Sequence, residues 1–128
     1  MKYQAMATAA TDEVYWLTKA KFLGFFDQYD FNFYREVENV APYYLDNWFY
    51  KNSGVNYFCV PTVLFNRGAT QFINGRHRTA VIFNEIDIIP MAFAEGEAQN
   101  FAKRIGLTKL KNNEVFVLPK LPFRSLQV

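Results

Sequence analysis

Six consecutive residues hold most of the chemistry this sequence offers: Asn74-Gly75-Arg76-His77-Arg78-Thr79. They follow a β-forming run at 70–73 and precede Ala80-Val81-Ile82-Phe83, so they sit where a strand gives way to a helix. Glycine at 75 removes the Cβ penalty of a turn, and the first amides of a helix have no intrahelical partner. That end of a helix draws anions, by ~0.3–1 kcal/mol for one charged group at the surface. Sequences usually meet it with Asp or Glu. Here Arg76, His77 and Arg78 stand there instead, an unfavourable arrangement unless an anion joins them. A phosphate satisfies amides and guanidiniums together, because arginine donates in bidentate fashion. The plainer account makes Arg76 and Arg78 surface charges paired with carboxylates, and His77 a packed core residue. Against it stands the placement of the chain's single histidine between two arginines on this one turn.

The remaining counts exclude more than they propose. One histidine and one cysteine, Cys59, rule out multi-histidine and cysteine zinc sites and any intramolecular disulfide. With 14 basic and 12 acidic residues the net charge is +2, too balanced for a polyanion-seeking tail. Hydrophobic residues at 51% and charged residues at 20% argue against disorder. A length of 128 residues predicts one domain, 1–128, with a small, polar and loosely ordered start at 1–11. No Walker loop, HExxH, zinc knuckle or G-x-S-x-G is present. Apolar runs are too short to span a bilayer, and 1–10 has no apolar leader core, so a cytoplasmic protein with no membrane contact is expected. Carboxylates suited to a metal or base role are Asp12 and Glu13, ahead of the first strand, and Glu36, beside Arg35.

The elements that position these groups follow from periodicity. Residues 13–18 read as a strand, and a short helix fits 18–25. A turn falls at 28–32. From 33 to 50 apolar residues recur at helical spacing, split by Pro42 into two short helices, and Asn52-Ser53-Gly54 supplies C-cap chemistry. The run 56–65 is a strand in which Pro61 marks an edge or bulge. Asn66-Arg67-Gly68-Ala69 is a turn, so 57–73 reads as a hairpin. A short helix then spans much of 74–84, a strand 85–93, a helix 95–105 stopped at Gly106, and a last strand 114–118. The order predicts an α+β (mixed α/β) fold, one mixed sheet with helices packed against it.

Phe72-Ile73-Asn74-Gly75-Arg76-His77-Arg78-Thr79-Ala80 resembles the signature helix start of the ParB/sulfiredoxin superfamily, an apolar strand followed by a G-x-[HR]-R-x-x-A type motif. Val60-Pro61-Thr62-Val63-Leu64 is similar to the strand before it, and Ile88-Ile89-Pro90-Met91-Ala92-Phe93 to the strand after it. The resemblance spans 14–93 and is closest over 57–93. It implies a small fold whose turn and helix start hold nucleotide phosphates, ATP or CTP with Mg²⁺. By position, Gly75, Arg76, His77 and Arg78 would contact phosphate, flanked by Asn74 and Thr79, with Arg35 near a further basic residue of the family. The nucleophilic cysteine of sulfiredoxin falls at Arg76, so sulfinic-acid reduction is not expected. No helix-turn-helix or dimerisation segment follows the motif in this sequence, so sequence-specific DNA partitioning is not expected either.

Two classes of function follow. The first is binding of a nucleotide or nucleic-acid phosphate, with Mg²⁺-dependent hydrolysis or transfer of nucleotidase or nuclease type. There the arginines neutralise charge, His77 donates a hydrogen bond or moves a proton, and Glu13 or Glu36 acts as base. The second is a non-enzymatic inhibitor or interference factor of a phage or plasmid, binding a host protein. Its surface would draw on the 24 aromatics, notably Tyr43, Tyr44, Trp48 and Tyr50. Lys103, Arg104, Lys109, Lys111, Lys120 and Arg124 make the last third basic, a nucleic-acid footprint or simply a solvated face.

Overall fold

The computed structural model describes residues 2–7, 9–26, 48–83, 85–112 and 114–117, with His77 described by its backbone alone. Among them the chain runs β1 (Lys2–Met6), β2 (Glu13–Thr18), α1 (Lys19–Phe25), β3 (Phe49–Asn52), β4 (Val55–Cys59), β5 (Thr62–Asn66) and β6 (Ala69–Asn74). Then come α2 (Arg76–Phe83), β7 (Ile88–Phe93), α3 (Glu97–Arg104), β8 (Thr108–Lys109) and β9 (Val115–Val117). The architecture is the expected α+β, but with two mixed sheets where one layer was expected. One sheet has the order β3-β4-β1-β9 and the other β6-β5-β7-β2-β8.

The second sheet is the continuation of the first. β1 leads into β2 and β4 into β5, so the chain passes twice from the first sheet to the second, and it returns before β3 and before β9. The two crossings are tied side by side, because the Val60 amide donates to the Met6 carbonyl at 3.1 Å. The run 56–65 is therefore not a single strand kinked at Pro61. It breaks there, and Pro61 supplies its carbonyl to the Ala92 amide at 2.9 Å. Within the start expected to be loose, Lys2–Met6 pairs parallel to β4 and antiparallel to β9.

Both hairpins close on two residues with positive φ, the mirror-image geometry whose twist matches the strands. Arg67 (φ 52°) and Gly68 (φ 78°) join β5 to β6, as expected. Ser53 (φ 51°) and Gly54 (φ 80°) join β3 to β4. The Asn52-Ser53-Gly54 signal was thus a hairpin turn and not a helix cap, and Phe49-Tyr50-Lys51 is strand. The expected turn at 28–32, and the two short helices up to residue 47, lie outside the described residues.

β7 is covered on both faces, which explains its unbroken apolar run; five of its six residues are buried. Pro90 is tolerated there. The Ala92 and Ala94 amides turn towards β5, as residue 90 does by alternation, yet β5 pairs only as far back as Ala92. On one side Phe22, Phe26, Phe72, Phe83, Phe93 and Phe101 form a chain of ring contacts at 5.1–6.2 Å, joining the helices to the second sheet. On the other, Phe116 meets Phe58 at 5.2 Å and Trp16 at 6.2 Å. Among the described residues the aromatics are thus mainly core, and each such ring pair adds ~0.5–1.5 kcal/mol beyond its burial.

α1 starts on Thr18, whose side chain accepts from the Lys21 amide at 3.2 Å. Lys21 in turn donates from Nζ to the carbonyls of Ile105 (2.6 Å) and Gly106 (3.2 Å), which neutralises the negative end of α3. α3 is oriented by its own charges as well, with Glu97 in its first turn and Lys103 and Arg104 in its last. Among the described residues no helix is long and apolar enough to cross a membrane.

Candidate functional site

α2 begins at Arg76, where the sequence placed it, and reverses the charge logic of α3. Its first turn holds no acidic residue. From Thr79 to Phe83 every residue is buried, so the helix enters the core and meets solvent through its first turn, where Arg76 is exposed. The first helical bond runs from the Thr79 amide to the Gly75 carbonyl at 2.9 Å. The amides of Arg76, His77 and Arg78 therefore lie ahead of the intrahelical ladder.

Gly75 makes this entry possible on two separate grounds. Its φ is +87°, and a Cβ built there would lie 2.5 Å from Pro61 Cβ and 2.6 Å from Pro61 Cα. The backbone at 75 thus rests directly on the crossing between the two sheets. Asn74, the last residue of β6, pairs with Thr62 across the hairpin, which fixes the height of the turn above the sheet.

The sequence assigned Arg78 and Thr79 to phosphate, and the structure gives both an internal task. Arg78 is half-buried; Nη1 donates to the Cys59 carbonyl and Nη2 to Asn74 Oδ1 at 3.3 Å. Its Nε is buried and has no hydrogen-bond partner. Burial pulls the guanidinium down from its ordinary value, opposed by the neighbouring Cys59. Arg78 is thus a strut between the helix start, the end of β4 and the end of β6. Thr79 is fully buried, and its hydroxyl donates to the Gly75 carbonyl at 2.8 Å. Of the residues expected to face a phosphate, Asn74, Gly75, Arg76 and Arg78 meet at one turn, while Thr79 turns inward. His77 lies in that first turn by its backbone. Arg35 and Glu36 lie outside the described residues.

Cys59 contributes its carbonyl to the strut. Burial pushes its thiol up, against a smaller opposite pull from Arg78, so it is not poised as a thiolate.

Glu13 is not brought to the same place. Asn74 pairs with Thr62, Thr62 with Ala92, and Ala92 with Val14, so Glu13 lies at the same end of the sheet but three strands away. At ~4.8 Å per strand that is roughly 14 Å. Glu13 accepts from Lys109 Nζ at 3.0 Å and from the Tyr15 hydroxyl at 2.9 Å, with Lys103 Nζ at 4.0 Å. The Lys109 hydrogen bond, then that of Tyr15, holds its carboxyl below its ordinary value. Burial, with the Glu13 hydrogen bond adding to it, pushes the Tyr15 phenol up to about 12. A carboxylate so engaged is an ion-pair partner. It is not a base poised for the turn at Gly75. Among the described residues no three of His, Cys, Asp and Glu converge as a metal site would require.

The turn is legible in the sequence, whereas what holds it is not. Pro61 beneath Gly75, and the Cys59 carbonyl in front of Arg78, carry no signal readable from the motif itself. Lys109 was visible only as one of several basic residues near the C-terminus. Of the proposed aromatic surface, Trp48 is buried and Tyr50 stacks on Tyr57 with centroids 5.2 Å apart; Tyr43 and Tyr44 lie outside the described residues. Comparison with protein-family models, with characterised proteins and with solved structures returned no significant match.

Proposed function

We propose that the protein binds a phosphate ester of the nucleotide class at the start of α2. The observation that carries this reading is a helix entry that combines an acid-free, arginine-bearing first turn with a backbone seated tightly on Pro61. Amides ahead of the helical ladder accept an anion at little reorganisation cost when their turn cannot move. Arg78 braces that turn, and exposed Arg76 supplies the charge on its solvent side. The order of hairpin, glycine, helix and buried strand supports the likeness to the ParB/sulfiredoxin superfamily, and with it ATP or CTP as ligand. Mg²⁺ would arrive with the phosphates and supply charge neutralisation there, since no carboxylate cluster among the described residues is placed to hold it. A cytoplasmic setting, where such nucleotides are abundant, suits this role.

Turnover is a separate matter from binding. Glu13 is held by two lysines away from the turn, so hydrolysis would fall to His77 or to a residue beyond those described. Titration calorimetry with ATP and CTP, each with and without Mg²⁺, tests the binding. Micromolar affinity is expected for one of them, weakened at least tenfold in Arg76→Ala, a variant that leaves the Arg78 strut intact. Absence of heat with every nucleotide overturns the proposal and leaves the non-enzymatic interaction protein as the reading to pursue. Release of inorganic phosphate in the same samples reports whether bound nucleotide is consumed.

A further inference from the structure

Two tyrosines stay out of the core, on the outer face of the first sheet. Tyr3, Phe58 and Phe116 are buried on its inner face, and Phe49 packs there against Tyr3 and Phe58. By strand alternation Lys2, Met6, Tyr50, Tyr57, Val115 and Val117 therefore point the other way. Met6, Val115 and Val117 are exposed there, and Tyr50 and Tyr57 are half-buried. The two tyrosines stand opposite each other on β3 and β4, with ring centroids 5.2 Å apart and planes within 21° of parallel. We propose that this face binds single-stranded nucleic acid, its bases on the tyrosine pair and its phosphates running on to Gly75, an assignment that rests on the turn there being a phosphate site.

Charge and continuity both favour this occupant. None of the outward positions on the four strands is acidic, and exposed Lys2 is one of them, so a polyanion meets attraction and no carboxylate. The platform also borders the turn. The Tyr50 hydroxyl donates to Met6 Sδ, Met6 lies in register with Cys59, and the Cys59 carbonyl accepts from Arg78. Pro61, under Gly75, follows Tyr57 by four residues, which is at most ~13 Å along the chain. A strand of a few nucleotides covers that length.

Size excludes the bulkier alternatives. Four strands ~4.8 Å apart and about five residues long, at ~3.3 Å each, span roughly 300 Å². A stable interface with a second copy or another folded protein buries about 800 Å² on each side, so this face is too small for one. A narrow chain with flat apolar rings and a charged backbone matches its dimensions. Duplex DNA does not, because its bases are already stacked and paired, and tyrosine rings take only bases that are free to lie on them. Such stacking is indifferent to base identity, so no sequence preference is expected.

The experiment is fluorescence anisotropy of a short fluorescein-labelled oligothymidylate titrated with the full chain. Saturable binding is expected, at least tenfold tighter than to the duplex of the same strand with oligoadenylate. Tyr57→Leu should weaken it by at least about fivefold, the low end of what stacking of one base supplies. Tyr57→Phe, which keeps the ring, should bind as wild type and guards against a mere loss of fold. Arg76→Ala should reduce the slope of log affinity against log salt by about 0.7, the share of one phosphate on a single strand. No saturable binding, equal binding of the duplex, full affinity in Tyr57→Leu, an equal loss in Tyr57→Phe, or an unchanged salt slope in Arg76→Ala overturns the proposal. Inorganic tripolyphosphate, which has phosphates and no base, separates this reading from that of the turn. Its binding, without that of oligothymidylate, overturns the stacking face alone; failure of both overturns the phosphate turn as well.

Discussion

Replacing Gly75 by alanine separates two costs that most glycine substitutions confound. At φ +87° any Cβ is strained, by about 1–2 kcal/mol for an L-residue on the left-handed side. The new methyl would also lie 2.5 Å from Pro61 Cβ and 2.6 Å from Pro61 Cα, with Arg78 Nε at 3.2 Å. Pro61 cannot retreat, since its carbonyl bonds the Ala92 amide and its neighbour Val60 bonds Met6. Overpacking against such a backbone adds about 1–3 kcal/mol, for a total of about 2–5 kcal/mol. Gly68 provides the internal control: its φ is +78°, yet nothing lies within 4 Å of its hypothetical Cβ. Gly68→Ala should therefore carry the conformational cost alone. Urea denaturation of the two variants beside wild type measures the difference, and m should not change if only the native state is strained. For a chain of this length 1 kcal/mol corresponds to about 4 °C in Tm, so the two variants should also separate on heating. Equal destabilisation of Gly75→Ala and Gly68→Ala would refute the claim that the helix start is seated on Pro61.

Arg78→Met should destabilise by about 2–4 kcal/mol, because charge-assisted hydrogen bonds to Cys59 and Asn74 vanish together; a loss under 0.5 kcal/mol in urea denaturation would show that Arg78 is no strut. Arg78→Lys, with one compact donor group in place of a fork, should recover only part of that stability. Glu13 has a lowered pKa in the folded chain, so its contribution is full above its ordinary value of 4.5 and is lost as pH falls through the folded value. Glu13→Gln should accordingly lower Tm at pH 7 by an amount worth about 1 kcal/mol or less, and the gap to wild type should narrow steadily as pH falls below 4.5. A gap that persists in acid would place the effect in packing rather than charge.

Local signals were read from the sequence where one element's own residues decide the outcome. Glu13–Thr18, the turn at Arg67-Gly68, the helix start at Arg76 and the stop at Gly106 are each fixed by alternation, by a positive φ or by a cap. What escaped was decided by distant partners. The run 56–65 reads as one strand because each half is equally β-forming, and only pairing to β1 or to β7 assigns the halves to different sheets. Phe49-Tyr50 was absorbed into a helical stripe because Tyr44, Leu45, Trp48 and Phe49 happen to fall at helical spacing. β1 was overlooked because only Tyr3 is fully buried in it, too little alternation to announce a strand. At the turn, the motif revealed charge and backbone freedom. That Arg78 spends its guanidinium on a carbonyl nineteen residues earlier could not be read from a spacing.

β1, the first of the described strands, is among the last to be completed. β1 stands between β4 and β9, and its Tyr3 lies opposite Phe116, more than a hundred residues further along the chain. During synthesis both of its edges stay open until Val55–Cys59 has emerged, and one stays open until Val115–Val117 follows. Long-range pairing of this kind places the closing of the first sheet on the slow side of folding for a domain of this size, because loop entropy is spent before contacts reward it. From its own emergence until Val115–Val117 follows, β1 therefore keeps an unpaired edge, the same kind of edge that promotes pairing with other chains. The glycine turn depends on this late event at one remove: the Met6 carbonyl that ties down the crossing under Gly75 belongs to β1.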